Sequence, residues 1–142
     1  MNRTSLFAVN AGHLGLRLAT GGMIFYRHGW HKLTGGIAWW RHGTPWPLLA
    51  DVQSMHLPAA AWQAWAATIV QLICPVGLML GWFTRVHAAL LTGVLAGAVL
   101  QNWLTQRDAQ LAELYLLLAA VLIGLGGGPW SLDTRKQTLG ES

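Results

Sequence analysis

Three long stretches of the chain contain no Asp, Glu, Lys or Arg. They lie between Asp51 and Arg85, between Arg85 and Arg107, and between Glu113 and Asp133. Each stretch is rich in apolar residues and long enough to cross a hydrocarbon layer, which takes about 20 residues of helix. Because lipid offers no partners to backbone polar groups, such a segment crosses it as a helix. We therefore predict membrane helices at about 60–83, 86–104 and 109–127.

A fourth apolar segment, at about 5–33, carries several polar side chains. A signal peptide is a poor interpretation, because no uninterrupted apolar stretch precedes a small-residue cleavage site. We predict instead a membrane helix whose polar side chains face the other three helices. The predicted fold class is thus all-α, an integral membrane four-helix bundle forming a single transmembrane domain over 1–142. Short turns make the helices antiparallel, a long loop (35–58) joins the first two, and a polar tail follows at 134–142.

The composition agrees with a membrane protein and excludes several soluble classes. Hydrophobic residues make up 54% of the chain and charged residues only 10%, against about 25% charged in a typical soluble domain. This balance excludes a DNA-binding domain and a disordered tail, so the predicted partner is membrane lipid and not nucleic acid. The single cysteine, Cys74, excludes an intrachain disulfide and any multi-cysteine metal site.

The nine Trp residues and the basic residues bear on how the bundle sits in the membrane. We assign most of the Trp to an interfacial aromatic belt on the side of the long loop: Trp30, Trp39, Trp40, Trp46, Trp62, Trp65 and Trp103. Trp82 and Trp130 fall at the opposite face. Basic residues are slightly more numerous on the side of the termini, which by the positive-inside rule predicts cytoplasmic termini.

Arg17 and three short motifs occur in a specific order along the chain. The motifs are F-Y-R-H-G-W-H-K-L at 25–33, G-L-M-L-G-W-F-T-R at 77–85 and G-P-W-S-L-D at 128–133. Together they resemble the DoxX family of small four-helix membrane proteins, over nearly the whole chain. The resemblance implies a multi-pass protein of the bacterial inner (plasma) membrane.

The resemblance also implies a function. Members of the family look like accessory components of membrane oxidoreductases or of redox and stress-response complexes, some of them linked to quinones. On this interpretation the chain is an accessory, quinone-contacting subunit whose partners are other membrane or redox proteins. Any catalysis of its own would be quinone-linked oxidoreduction. The alternative is a structural or assembly protein that binds no ligand.

Arg17 is the first candidate site residue, because a charge at membrane depth costs about 2.5–3.5 kcal/mol to insert and needs a partner or a task. If the first helix begins near Ser5, Arg17 lies at its middle, opposite Gln71 of the second helix. Members of the family often carry Glu at the position of Gln71. The Gln71 amide can accept a hydrogen bond but cannot neutralise the guanidinium, so Arg17 needs further acceptors.

The other candidates are expected near the side of the long loop. They are His28, Lys32, Gln101, Asn102 and Glu113. Glu113 lies in apolar sequence and is predicted to pair with Lys32 or His28. Such a group could bind a quinone head, whose two carbonyl oxygens need donors and whose reduced form needs a proton acceptor. The alternative is a structural hydrogen-bond network that sets the register of the helices.

Two further patterns carry weaker implications. His28 and His31 come closest to the spacing of a helical metal-ligand pair, but no full ligand set accompanies them, and we predict no metal site. Gly93 and Gly97 form a G-x-x-x-G pattern in the third membrane helix. This pattern is typical of close helix packing, within the bundle or against another subunit.

Overall fold

The computed structural model describes residues 2–134, and this part of the chain is helical with no β-strand. The elements are α1 (Arg3–Ile24), a π-helical turn (Phe25–Trp30), α2 (His31–His42), α3 (Pro47–Ser54), α4 (Ala60–Leu80), α5 (Thr84–Leu104) and α6 (Gln110–Leu125). The all-α class is therefore confirmed. The predicted polar tail lies outside the described residues from position 135 onward.

The segment predicted as a long loop is mostly helical, so that prediction is wrong. The π-helical turn runs directly into α2, and the chain is continuously helical from Arg3 to His42. Gly43, in the left-handed conformation at φ 67°, ends α2, and Pro47 opens α3 in the first turn, where its missing N–H is not needed. Glycine and proline in this segment mark the ends of two helices and not a loop.

Two helices, α4 and α5, are long and apolar enough to cross a membrane, and α6 is apolar but shorter. Gly81 ends α4 in the left-handed conformation at φ 68°, and α5 begins three residues later. α5 packs against both α4 and α6, while α1 packs mainly against α4. The main hydrophobic core lies between these four helices and consists of Ile24, Cys74, Leu78, Ala88, Leu91, Leu95, Tyr115, Ala119 and Leu122.

A second apolar cluster lies under α3 and is built from tryptophans. The Trp46 ring lies 6.0 Å from the ring of Trp39 and 5.0 Å from that of Trp65, measured between centroids. Trp46 is only 3% exposed, so its assignment to an interfacial belt is wrong. Gly36 of α2 faces this cluster, and a Cβ there would lie 2.8 Å from the Trp65 ring. The absent side chain lets α2 approach the tryptophans closely.

The alignment of the first long helix against α4 follows from its glycines. A Cβ at Gly21 would lie 2.8 Å from the Pro75 carbonyl oxygen, and one at Gly29 would overlap the carbonyl oxygen of Gln71. At the same alignment, Arg17 lies beside Gly81. The predicted contact between Arg17 and Gln71 is therefore wrong. Along α4, Gly81 lies ten positions beyond Gln71, which is about 15 Å of helix. Arg17 therefore contacts α4 at a different level from Gln71.

Candidate functional site

A cavity of about 700 Å³ lies between the π-helical turn, α2, α3, α4 and α5. Its volume falls within the range of roughly 300–1,000 Å³ typical of small-molecule sites. Five of the seven sequence-predicted candidates line it: His28, Lys32, Gln71, Gln101 and Asn102. The tertiary structure thus brings together residues from three helices that the sequence separates by up to 74 positions, from 28 to 102.

The π-helical turn places His28 on the wall of this cavity. Single turns of π-helix within α-helices are frequently found at functional sites, because the extra residue in the turn changes which side chains face inward. The His28 ring packs edge-to-face on the Tyr115 ring of α6, with centroids 5.2 Å apart. Gly29, the next residue, lies against the α4 backbone at Gln71. His28 and Gln71 are consequently neighbours near the middle of α4.

Three buried polar atoms on the residues of this wall have no hydrogen-bond partner. They are Nε2 of His28, Oε1 of Gln71 and Nε1 of Trp46, and all three residues line the cavity. Gln71 is 1% exposed. Buried polar groups in folded proteins are nearly always paired, and an unpaired one costs about 1–3 kcal/mol.

Several charged side chains also line the cavity. Arg27, His31 and Lys32 line it together with Asp51. The Asp51 carboxylate accepts a hydrogen bond from Arg107 Nη1 at 2.9 Å, so part of its charge is balanced from outside the cavity. Gln101 is also partly engaged, because its Nε2 donates to Ser54 Oγ at 2.8 Å and ties α5 to α3.

Glu113 does not take part in this group. Its carboxylate accepts a hydrogen bond from Trp103 Nε1 at 2.8 Å, and it is absent from the cavity wall. Among residues 2–134, no ion pair joins it to Lys32 or His28, so the predicted pairing is wrong. The short turn between α5 and α6 places Glu113 beside Trp103, the nearest indole donor on the preceding helix.

Arg17 is buried away from the cavity, beside the C-terminal end of α4 at Gly81. Its Nη2 donates to the Trp130 carbonyl oxygen at 2.6 Å, and the side chain is 1% exposed. Asp133 acts on Arg17 electrostatically. The Asp133 carboxylate also accepts from Phe83 N at 2.7 Å, Thr84 N at 2.9 Å and Thr84 Oγ1 at 2.8 Å. It therefore caps the N-terminus of α5, where a negative charge is favourable.

The two weaker sequence patterns have different outcomes. His28 and His31 both line the cavity, but within residues 2–134 no group of three or more His, Cys, Asp or Glu could hold a metal ion. Gly93 and Gly97 have no atom within 4 Å of the place where a Cβ would lie. Neither Cβ position therefore faces a closely packed helix within the described chain, and both glycines line the cavity.

Sequence reasoning missed three residues that matter to these two sites. Trp46 and Asp51 fell in the predicted loop, where no helical pattern linked them to the membrane segments. Asp133 was noted as the end of the G-P-W-S-L-D motif, but nothing in the sequence linked it to the turn at 81–84. For Asp133 the family motif was the one signal available, and it identified the residue without its contacts.

Comparison with known proteins agrees with the resemblance seen in the motifs. The family model DoxX matches residues 12–107, more than half of the chain. The matched range includes Arg17 and the motifs at 25–33 and 77–85, and it ends before the motif at 128–133. No curated protein and no solved structure matches the chain. Together with the two long apolar helices, the family match identifies a membrane protein, and the chain belongs to the DoxX family.

Proposed function

We propose that this chain is an accessory subunit of a membrane oxidoreductase, or of a redox or stress-response complex, and that its cavity binds a quinone head group. The observation that carries the proposal is that three residues with an unpaired buried polar atom, His28, Gln71 and Trp46, line one cavity.

The chemistry of these groups fits a quinone. The indole N–H of Trp46 is a donor, and Nε2 of His28 is a donor in one neutral tautomer and an acceptor in the other. Two donors suit two carbonyl oxygens. The amide oxygen of Gln71 accepts from a hydroxyl of the reduced form, and His28 is the group on this wall best suited to exchange a proton near neutral pH.

The binding proposal predicts a measurable loss when one polar atom is removed. We expect saturable binding of a decyl-substituted benzoquinone to the purified protein in detergent, followed by quenching of tryptophan fluorescence. His28→Phe keeps the ring packing on Tyr115 but removes the nitrogens. It should weaken binding roughly tenfold, since one hydrogen bond contributes about 0.5–1.5 kcal/mol.

Glu113→Gln is the matched control, because Glu113 lies outside the cavity, and its affinity should equal that of the unsubstituted protein. Absence of saturable binding, both to the purified chain and to the chain with its co-purifying partners, would contradict the quinone proposal. That result would favour a structural or assembly protein without a ligand.

We further propose that the four helices cross the bacterial inner membrane as an antiparallel bundle, with both termini in the cytoplasm. The crossing part of the first helix would run from about position 17 to 36, since these residues lie along α4. At about 1.5 Å per residue it is about 29 Å long, close to the hydrocarbon thickness of about 30 Å. The cavity would then lie toward the periplasmic side.

Labelling of introduced cysteines tests this topology. In a Cys74→Ala background, a membrane-impermeant thiol reagent added to intact spheroplasts should label Thr44→Cys, which follows α2. It should label Ser5→Cys, at the start of α1, only after the membrane is permeabilised. Both positions are exposed in the structure, so the comparison does not depend on local burial. The reverse pattern would contradict the orientation, and equal labelling of both would contradict a crossing by the first helix.

A further inference from the structure

We propose that the ligand of the cavity is an amphiphile with a linear apolar chain, and that this chain leaves the cavity between α4 and α5, across Gly93 and Gly97, into the lipid. The inference rests on the proposed ligand site and deepens it. It selects lipid-soluble ligands over water-soluble ring compounds with the same head group.

The first observation concerns the two glycines. Gly93 and Gly97 lie one turn apart on α5, and both line the cavity. No atom lies within 4 Å of where either Cβ would be. A G-x-x-x-G pattern normally brings a second helix into close contact, and within the described part of the chain none is there. The pattern therefore leaves a groove along α5 instead of a helix contact.

The second observation is that the groove is continuous with the cavity and reaches the surface. Ala66 on α4 and Gly93 on α5 are both exposed and both line the cavity. Their helices are the two that are long and apolar enough to cross a membrane, and Gly93 lies near the middle of α5. An opening at this level faces acyl chains and not water.

The third observation is the change of polarity along the cavity. Its α5 wall runs from Asn102 to Gly93, about 14 Å of helix. Gln101 and Asn102 lie at one end of this wall, whereas Val94 and Leu95 lie beside Gly93 at the other. A molecule that matches this wall is polar at one end and apolar at the other.

The buried amide of Gln71 is independent of the glycines and points to a ligand. Gln71 is 1% exposed, lines the cavity and has an unpaired Oε1. A groove that served only to pack against a second copy of the chain would give this atom no partner. A ligand that paired the Gln71 oxygen and laid its chain over Gly97 and Gly93 would satisfy the buried amide and fill the groove.

The inference can be tested on the purified protein with two benzoquinones that have the same ring. One carries no alkyl chain and the other carries a decyl chain. In the unsubstituted protein the decyl compound should bind at least tenfold more tightly. Gly93→Leu fills the groove and should weaken decyl binding about tenfold, while binding of the chainless compound changes less than twofold. Gly124→Leu is the matched control, because Gly124 of α6 also has no atom within 4 Å but lies outside the cavity wall. It should change neither affinity.

Ala66→Leu closes the groove from α4 and should reproduce the effect of Gly93→Leu, so the test does not depend on one variant folding. If the chainless ring binds and the decyl compound gains nothing, the inference is wrong while the quinone site stands. If decylbenzene binds as well as the decyl quinone and Gly93→Leu abolishes both, the groove stands and the quinone proposal is wrong. If Gly93→Leu alters only the oligomeric state in detergent, the groove is a contact between copies and the inference is overturned.

Discussion

Replacing Asp133 by Ala is expected to lower the free energy of unfolding by about 2 kcal/mol, the upper end of the usual cost of losing a helix N-cap side chain. The change removes the acceptor of three hydrogen bonds at the start of α5. It also leaves the buried guanidinium of Arg17 without the carboxylate that acts on it. Unfolding in mixed detergent micelles, followed by circular dichroism, measures the difference.

Asp133→Asn separates the two contributions, because it removes the charge and keeps one carbonyl oxygen as an acceptor. Its effect should be smaller than that of Asp133→Ala. A double-mutant cycle between Arg17→Leu and Asp133→Ala should give a coupling of at least about 1 kcal/mol, since interacting residues couple by roughly 0.5–3 kcal/mol. The same cycle between Arg17→Leu and Gln71→Leu should give a coupling near zero, because those side chains lie at different levels of α4. Equal coupling in both cycles would contradict the observed alignment.

Replacing Gly29 by Ala should destabilise the protein by about 3 kcal/mol or more, at the upper end of the usual cost of overpacking. A Cβ at Gly29 overlaps the backbone carbonyl of Gln71, and backbone cannot move aside as a flexible side chain can. The π-helical turn and α4 must therefore separate, which displaces His28 from Gln71. Thermal unfolding and decyl-benzoquinone binding should both report the change, with binding lost.

Gly22→Ala is the matched control in the same continuous helix. No atom lies within 4 Å of its Cβ position, so the substitution should stabilise the helix by roughly 0.5–1 kcal/mol through reduced backbone entropy of the unfolded chain. Quinone binding should be unchanged. Equal stabilities of the two variants would show that the first helix does not approach α4 at Gly29.

The charge-free stretches were sufficient to predict an all-α membrane protein, because hydrophobicity and the absence of charge are properties of each segment by itself. The observed α4 and α5 lie where two of these stretches were found, and the family resemblance rested on motifs readable without any structure. His28, Lys32, Gln71, Gln101 and Asn102 were found for the same reason: polar residues in apolar sequence are conspicuous. Their type could be read from the sequence, but their neighbours could not.

The alignment of the helices was decided only in the tertiary structure. The sequence alone predicts Arg17 opposite Gln71, if the membrane segment begins where the apolar residues begin. In the structure the glycines at 21, 29 and 36 determine where the first helix can approach α4, and that contact moves Arg17 to Gly81. Its partners then come from Trp130 and Asp133, more than a hundred positions away in the chain.

Hydrophobic patterning is local and therefore visible in the sequence, whereas helix register depends on steric fit between backbones and on charge pairs across long separations. The composition and charge pattern of this chain thus determined its class and its membrane character. Close approach at Gly29, the π-helical turn beside it and the capping of α5 by Asp133 decided which polar residues meet. The cavity exists because those contacts hold α4 and the first helix together while Gly93 and Gly97 leave the space beside α5 open.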